Sequence, residues 1–132
     1  MKYLLDTHTW IWWNSNPSNL SNKVKELIED LKNYEELLLS VISIWEFSKL
    51  LEKGRLKISV NGYTWIEQAL ILPKLKVCEL TPQTAFNSTT LPQPIHDDPA
   101  DQILIATARI ENAVIITKDQ LIQNYPHVKT IW

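Results

Sequence analysis

Glycine and cysteine are scarce in this chain. Two glycines in 132 residues exclude a glycine-rich loop that cradles phosphates with backbone N–H groups. A single cysteine, Cys78, excludes an internal disulfide and fits a reducing compartment; within "KVCEL" it reads as a small buried residue. No apolar run approaches the roughly 18–20 residues needed to span a bilayer. Asp6 interrupts the N-terminal "MKYLLDTHTW" before the apolar stretch of a signal peptide develops, so a cytoplasmic protein with no membrane contact is expected. Positive charge is not in excess either: 13 Lys and Arg stand against 15 Asp and Glu, a formal net charge of −2. Such a chain has no global attraction to nucleic acid, so a nucleic-acid substrate would need metal ions or a partner chain to offset its phosphates.

What is present is an ordinary globular composition, with a length that fits one domain over residues 1–132. Short apolar runs alternate with helical patterns. "KYLLD" (2–6), "ELLLSV" (36–41), "KVCEL" (76–80), "AVIIT" (113–117) and "VKTIW" (128–132) read as strands, and "RLKISV" (55–60) as a short extended piece. Between them, "THTWIWW" (7–13) opens a helix and "NSNPSN" (14–19) is a loop. "LSNKVKELIEDLKN" (20–33) places Leu20, Val24, Leu27, Ile28 and Leu31 at helical spacing. "SIWEFSKLLEKG" (43–54) is a helix stopped by Gly54, and "NGYTWIEQALIL" (61–72) one stopped by Pro73. "TPQTAFNSTTL" (81–91) is a short helix with Pro82 in its first turn. The strands are continuous apolar runs rather than alternating ones, which implies a mainly parallel sheet covered by helices on both faces.

The most informative stretch is "HDDPADQILIATARI" (96–110), where three aspartates lead directly into an apolar helix. Each acid has a plain structural explanation. Asp98 is a good N-cap, Pro99 suits the first helical position, and Asp101 falls at the third. "SIWE" has the form of a capping box, with Ser43 as cap and Glu46 three residues on. The positions gain meaning in combination. In an open parallel α/β sheet, ligands bind at the carboxyl ends of the strands. Asp6 closes the first strand, Glu46 opens the helix after the second, and Asp119 follows "AVIIT" in "TKD". Asp101 joins them if the N-terminus of its helix reaches the same edge. Four converging carboxylates repel one another unless a cation lies among them, and oxygen-only donors select a hard ion, Mg²⁺ or Mn²⁺. One ion and two are both compatible with four acids.

"LLDTHTWIWW", "SVISIWEFSKL", "DDPADQILIATA" and "IITKD" together resemble a PIN domain, and specifically the VapC-type toxin ribonucleases of toxin–antitoxin pairs. The resemblance implies a three-layer α/β/α sandwich, a metal-dependent endoribonuclease that hydrolyses RNA, and Mg²⁺ or Mn²⁺ held by Asp6, Glu46, Asp101 and Asp119 as the catalytic acids. It also implies inhibition by a VapB-type antitoxin and, with the tryptophan count, a homodimer. Gln102 departs from the pattern, in which arginine follows the aspartate, so the resemblance carries no salt bridge or phosphate contact to that position.

Other residues are weighed on their own chemistry. The hydroxyls of Thr7 and Thr117 flank the acid-bearing strand ends and suit the orientation of carboxylates or water. Asp98 reads as a cap before it reads as an outer ligand, and Asp97 as a solvated loop residue. His8 and His96 lie near the acids, but no His/Cys spacing suggests zinc, and both read as structural. Lys49, Lys53 and Arg55 read as a solvated helix face rather than a substrate path. Trp10, Trp12 and Trp13 are too close together for all to face one core, so at least one is expected exposed or at an interface. Two other functions fit less well: a phosphatase with Asp6 as nucleophile, for which "DTHT" lacks the usual second acid, and a non-catalytic RNA- or protein-binding module, for which no acid should need to be kept.

Overall fold

Five short apolar segments build the sheet: β1 (Lys2–Leu5), β2 (Glu36–Ser40), β3 (Leu75–Cys78), β4 (Ala113–Ile116) and β5 (Thr130–Ile131). The computed structural model, which describes residues 1–132, orders them β3-β2-β1-β4-β5, with every neighbouring pair parallel. Side chains alternate across the sheet with a period of two. Tyr3, Leu5, Leu37, Leu39 and Ile116 enter one core, and Leu4, Leu38 and Ile115 enter the other. In β1, β2 and β4 both faces are buried, so polar residues have no place in the strand centres and the runs are continuously apolar, whereas the edge strand β3 exposes Lys76 and Val77 at its centre.

The first core is closed by α1 (Thr7–Ser15), α2 (Asn22–Glu29), α3 (Val41–Glu52) and α4 (Gly62–Ala69), which contribute Trp10, Ile11, Val24, Ile28, Phe47 and Ile66. Phe47 stacks on Trp65 at 4.3 Å, and Trp10 meets both edge-on. The second core is closed by α6 (Pro99–Glu111) and α7 (Gln120–Gln123), through Leu104, Ile105, Ala108 and Ile122, while α5 (Pro82–Asn87) packs on α6. The sheet thus lies between two helical layers, as expected. No helix is long and apolar enough to cross a membrane.

Several local expectations are corrected. Residues 55–60 form no strand. The α2 helix ends at Glu29 and α4 at Ala69, before the residues their apolar spacing suggested; Leu31 is buried from the loop beyond α2. Asn14 and Ser15 belong to α1 rather than to a loop. The capping box at Ser43 and Glu46 is not formed. The α3 helix starts earlier, capped by Ser40, whose hydroxyl accepts from the Ile42 N–H. Ser43 therefore lies inside the first turn with 0% exposure.

The α3 helix ends in a sharp reversal. Gly54 sits at φ +69°, a left-handed conformation that only glycine adopts without strain. Its N–H donates to the Leu51 carbonyl and the Arg55 N–H to the Leu50 carbonyl, at 3.0 and 2.9 Å. This pair of bonds is a Schellman motif, and it folds Arg55 back beside the last turn of α3.

Candidate functional site

Strand register fixes the first contacts of the site. Leu5 pairs with Leu39 on one side and with Ile116 on the other, so Asp6, Ser40 and Thr117 emerge level with one another at the carboxyl edge. The strand order reverses between β1 and β4, the crevice where open α/β sheets bind ligands. Asp6 is only 7% exposed. Its Oδ1 accepts from the Thr7 N–H at 2.7 Å and its Oδ2 from the Thr117 hydroxyl at 2.7 Å. Thr7 then links β1 to α3: its hydroxyl lies 2.5 Å from Glu46 Oε1 and 2.9 Å from Ser43 Oγ. The expectation that Thr7 and Thr117 orient carboxylates matches this geometry. Ser43, expected as a cap, braces Thr7 instead.

Asp101 reaches the same edge because α6 runs back along the sheet before β4, so its N-terminus lies over the carboxyl ends of the strands. Asp98 caps α6, its Oδ1 accepting from the Asp101 N–H at 3.0 Å. Asp101 Oδ2 lies 2.8 Å from His96 Nε2, a partnership that the reading of His96 as merely structural did not foresee. Gln102 donates from Nε2 to the His96 carbonyl at 3.0 Å. In this chain it secures the loop that carries His96. Asp119 is exposed and caps α7, with Oδ1 accepting from the N–H groups of Leu121 and Ile122. The N-termini of α1, α3, α6 and α7 therefore gather around the acids, and their partial positive charge favours anions there.

Electrostatics ties the acids into one group. Burial pushes the Asp6 carboxyl above its ordinary range, against the pull of its two hydrogen bonds, and Asp119 pushes it further. Burial also raises Glu46, opposed by the Thr7 hydroxyl and reinforced by Asp6 and Asp98. Asp101 is pushed up to about 7, chiefly by burial, with Asp98, Asp6 and Asp119 adding to the effect and His96 opposing it. No lysine or arginine forms an ion pair with any of the four acids. This donor set has the chemistry a hard divalent cation needs: oxygen only, mutually repelling, and without a lysine or arginine partner. As the side chains are placed, no three acids or histidines converge tightly enough to enclose an ion.

Two cavities open beside the acids. One, of about 440 Å³, is lined by Asp6, His8, Thr9, Trp12, Lys118 and Asp119. The other, of about 360 Å³, lies between α3 and the start of α6, with Glu46 and Asp98 facing Trp45, Lys49, Lys53 and Arg55. The three basic residues, read from sequence as a solvated face, thus share a cavity with Glu46. His8 is exposed and lines both cavities.

Fold and acid group together define a class: a doubly wound parallel α/β protein with a carboxylate cluster at its topological switch point. Comparison with known proteins agrees. Residues 3–128 match the PIN domain model, and the chain belongs to the PIN-domain family. It is similar to Ribonuclease VapC22 of Mycobacterium tuberculosis, with 30% identity over 131 residues covering 98% of this chain and 97% of that protein. Its fold resembles that of a chain in the crystal structure of VapBC2 from Rickettsia felis bound to a promoter DNA fragment, with TM-score 0.69, 16% identity, and 99% and 98% of the two chains covered. A chain in VapBC-1 from nontypeable Haemophilus influenzae matches equally well, with TM-score 0.69 and 21% identity over 99% and 97% of the chains.

Proposed function

We propose that this chain is a metal-dependent endoribonuclease, the toxin of a VapBC-type pair, which hydrolyses RNA phosphodiester bonds with water as nucleophile. The observation that carries the reading is the set of four acids at the switch point of the sheet with no lysine or arginine partner. The ribonuclease name of its Mycobacterium relative supports the activity. The VapBC complexes among the structures of like fold support a VapB-type antitoxin as partner. A cytoplasmic location and a homodimer complete the proposal.

Asp6, Glu46, Asp101 and Asp119 are the residues assigned to hold Mg²⁺ or Mn²⁺, which supplies an activated water and positive charge against the phosphate. Asp6, buried and bonded at both oxygens, is the rigid anchor, a setting that suits a ligand better than an attacking nucleophile. Thr117 and Thr7 hold its two oxygens. Glu46 and Asp101 are the half-buried acids, and burial holds both carboxyls above their ordinary range; they are placed to accept a proton from water. Thr7 aims Glu46, His96 aims Asp101, and Asp119 stands at the rim.

The test is cleavage of a mixed-sequence RNA pool by the purified chain, free of antitoxin. Cleavage is expected with Mg²⁺ or Mn²⁺ and not with chelator. Persistence in EDTA, or in the Asp6→Ala and Asp101→Ala proteins, contradicts the mechanism.

A further inference from the structure

We propose that the cavity between α3 and α6 is a cleft for single-stranded RNA in which Trp45 is the stacking platform for an unpaired base and Lys53 and Arg55 hold the adjoining phosphates. The inference rests on the ribonuclease reading above and assigns the residues that hold the strand beside the acids.

Trp45 carries the argument. Of six tryptophans, it alone is exposed, at 54%; Trp10 fills the core, and Trp12, Trp13, Trp65 and Trp132 pack partly against it. Helical spacing explains the shape of the wall. Trp45 and Lys49 lie four residues apart on α3, and Glu46, Leu50 and Lys53 form the neighbouring row; all five line the cavity. The Schellman turn at Gly54 returns Arg55 to the same wall. Lys49 Nζ stands 5.8 Å from the Trp45 ring centre and also pairs with Glu52 at 3.0 Å. Lys53 and Arg55 have no acidic partner. In a chain of net charge −2, two uncommitted cations beside an exposed aromatic ring give the wall of α3 a local positive charge opposite the carboxylates of Glu46 and Asp98.

Glu46 and Asp98 bring the acids to this cleft. On their far side the second cavity repeats the pattern: Lys118 Nζ lies 6.0 Å from the centre of the Trp12 ring, and His8 joins the two spaces. An aromatic ring with a cation on each side of the acids suits a strand that crosses them with its bases turned out. Stacking on aromatic faces with cations along the backbone is how single strands are bound without sequence readout. A duplex keeps its bases inside and offers no base to Trp45.

The probe is a mixed pool of short, phosphorothioate-linked 2′-O-methyl single strands, titrated with Mg²⁺ present, checked intact afterwards, and followed by anisotropy and tryptophan fluorescence. Binding should quench fluorescence. Trp45→Ala should weaken binding by about 5- to 150-fold, the range for losing one base stack, and Trp45→Phe should restore most of it. Circular dichroism confirms the fold of each variant. The Lys53→Gln/Arg55→Gln double variant should lower the slope of log affinity against log salt by about 1.4, from about 0.7 per phosphate neutralised. Unchanged affinity in Trp45→Ala overturns the proposal, as does an unchanged salt slope in the double variant. Duplex binding as tight as single-strand binding overturns it too. Tighter binding of a polyglutamate peptide, insensitive to Trp45→Ala, overturns it in favour of a protein partner. Cleavage by the parent with an unaltered KM in Trp45→Ala removes the cleft and leaves the ribonuclease reading standing. Binding that depends on Trp45 and on charge, with no RNA cleaved, removes the ribonuclease reading and leaves the cleft.

Discussion

The two ends of the same sheet handle charge in opposite ways. At the amino edge, Lys2 bonds Glu111 at 2.9 Å and lies 3.9 Å from Glu36, and Lys76 reaches Glu36 at 2.5 Å. Glu36 and Glu111 there each have a lysine. At the carboxyl edge, Asp6, Glu46, Asp101 and Asp119 have threonines, backbone N–H groups and one histidine, but no lysine or arginine. The shifts in pKa reflect this. The Lys76 hydrogen bond draws Glu36 below its ordinary range, whereas burial drives Asp6, Glu46 and Asp101 upward. Charge balanced within the chain is structural. Charge left unbalanced and buried destabilises the protein unless something from outside completes it, and that is the physical signature of a site.

The largest expected effect separates the edges by activity. In the RNA cleavage assay, Asp6→Asn and Asp101→Asn should each lose several orders of magnitude in rate, while Glu36→Gln and Glu111→Gln should stay within about twofold, because exposed ion pairs contribute only about 0–1 kcal/mol to folding and none of it to the site. Comparable losses at both edges would erase the distinction.

Metal should act on one edge only. An ion at about one hundred times its Kd stabilises the native state by about 2.7 kcal/mol, on the order of 10 °C in Tm for a domain of this size. A thermal melt with and without Mn²⁺ should show that shift in the parent and in Glu111→Gln, and should show little of it in Asp6→Asn.

The pH dependence of stability should carry opposite signs. A carboxyl whose folded pKa is raised contributes stability that is full below its unfolded value and is lost as pH rises through the folded value. For Asp101 that window runs from about 3.8 to about 7. Glu36, with its pKa lowered, contributes stability above about 4.5 that is lost as pH falls through its folded value, and being exposed it contributes little. In EDTA, melts between pH 4 and pH 7 should therefore show an unfavourable term that flattens in Asp101→Asn, where no proton is left to lose. A curve unchanged by that substitution would place the effect elsewhere.

The smallest effect concerns the cap. Asp98→Ala should cost about 0.5–2 kcal/mol of stability through loss of the N-cap of α6 and leave most of the cleavage rate. A loss of rate as severe as that of Asp101→Asn would make Asp98 part of the reacting site.

Much of this contrast could be read from the sequence. Continuous apolar runs such as "LLLS" and "AVII" are diagnostic of a sheet buried on both faces, and a parallel sheet sends every strand end to one edge. That logic located Asp6, Glu46 and Asp119, and Asp98 was correctly read as a cap. What stayed hidden depended on contacts across distance. Ser40 and Ser43 both suit an N-cap, and only the burial of Ser43 against Thr7 decides between them. The bond between His96 and Asp101 depends on the loop path between two residues five apart, which periodicity does not encode. The spacing of Lys49 and Lys53 specified a shared helical face but could not show that this face meets the start of α6. The short reach of α2 and α4 reflects packing, since Leu31 is buried without being helical.

The central claim is that the carboxyl edge is a site for a hard divalent cation completed from outside the chain. Calorimetric titration of Mn²⁺ into the parent protein and into Asp6→Asn and Asp101→Asn tests it most directly. The account predicts saturable binding to the parent that is lost or strongly weakened in both variants and is unaffected by Glu111→Gln. No binding to the parent, or equal binding to the parent and the Asp6→Asn protein, would contradict it.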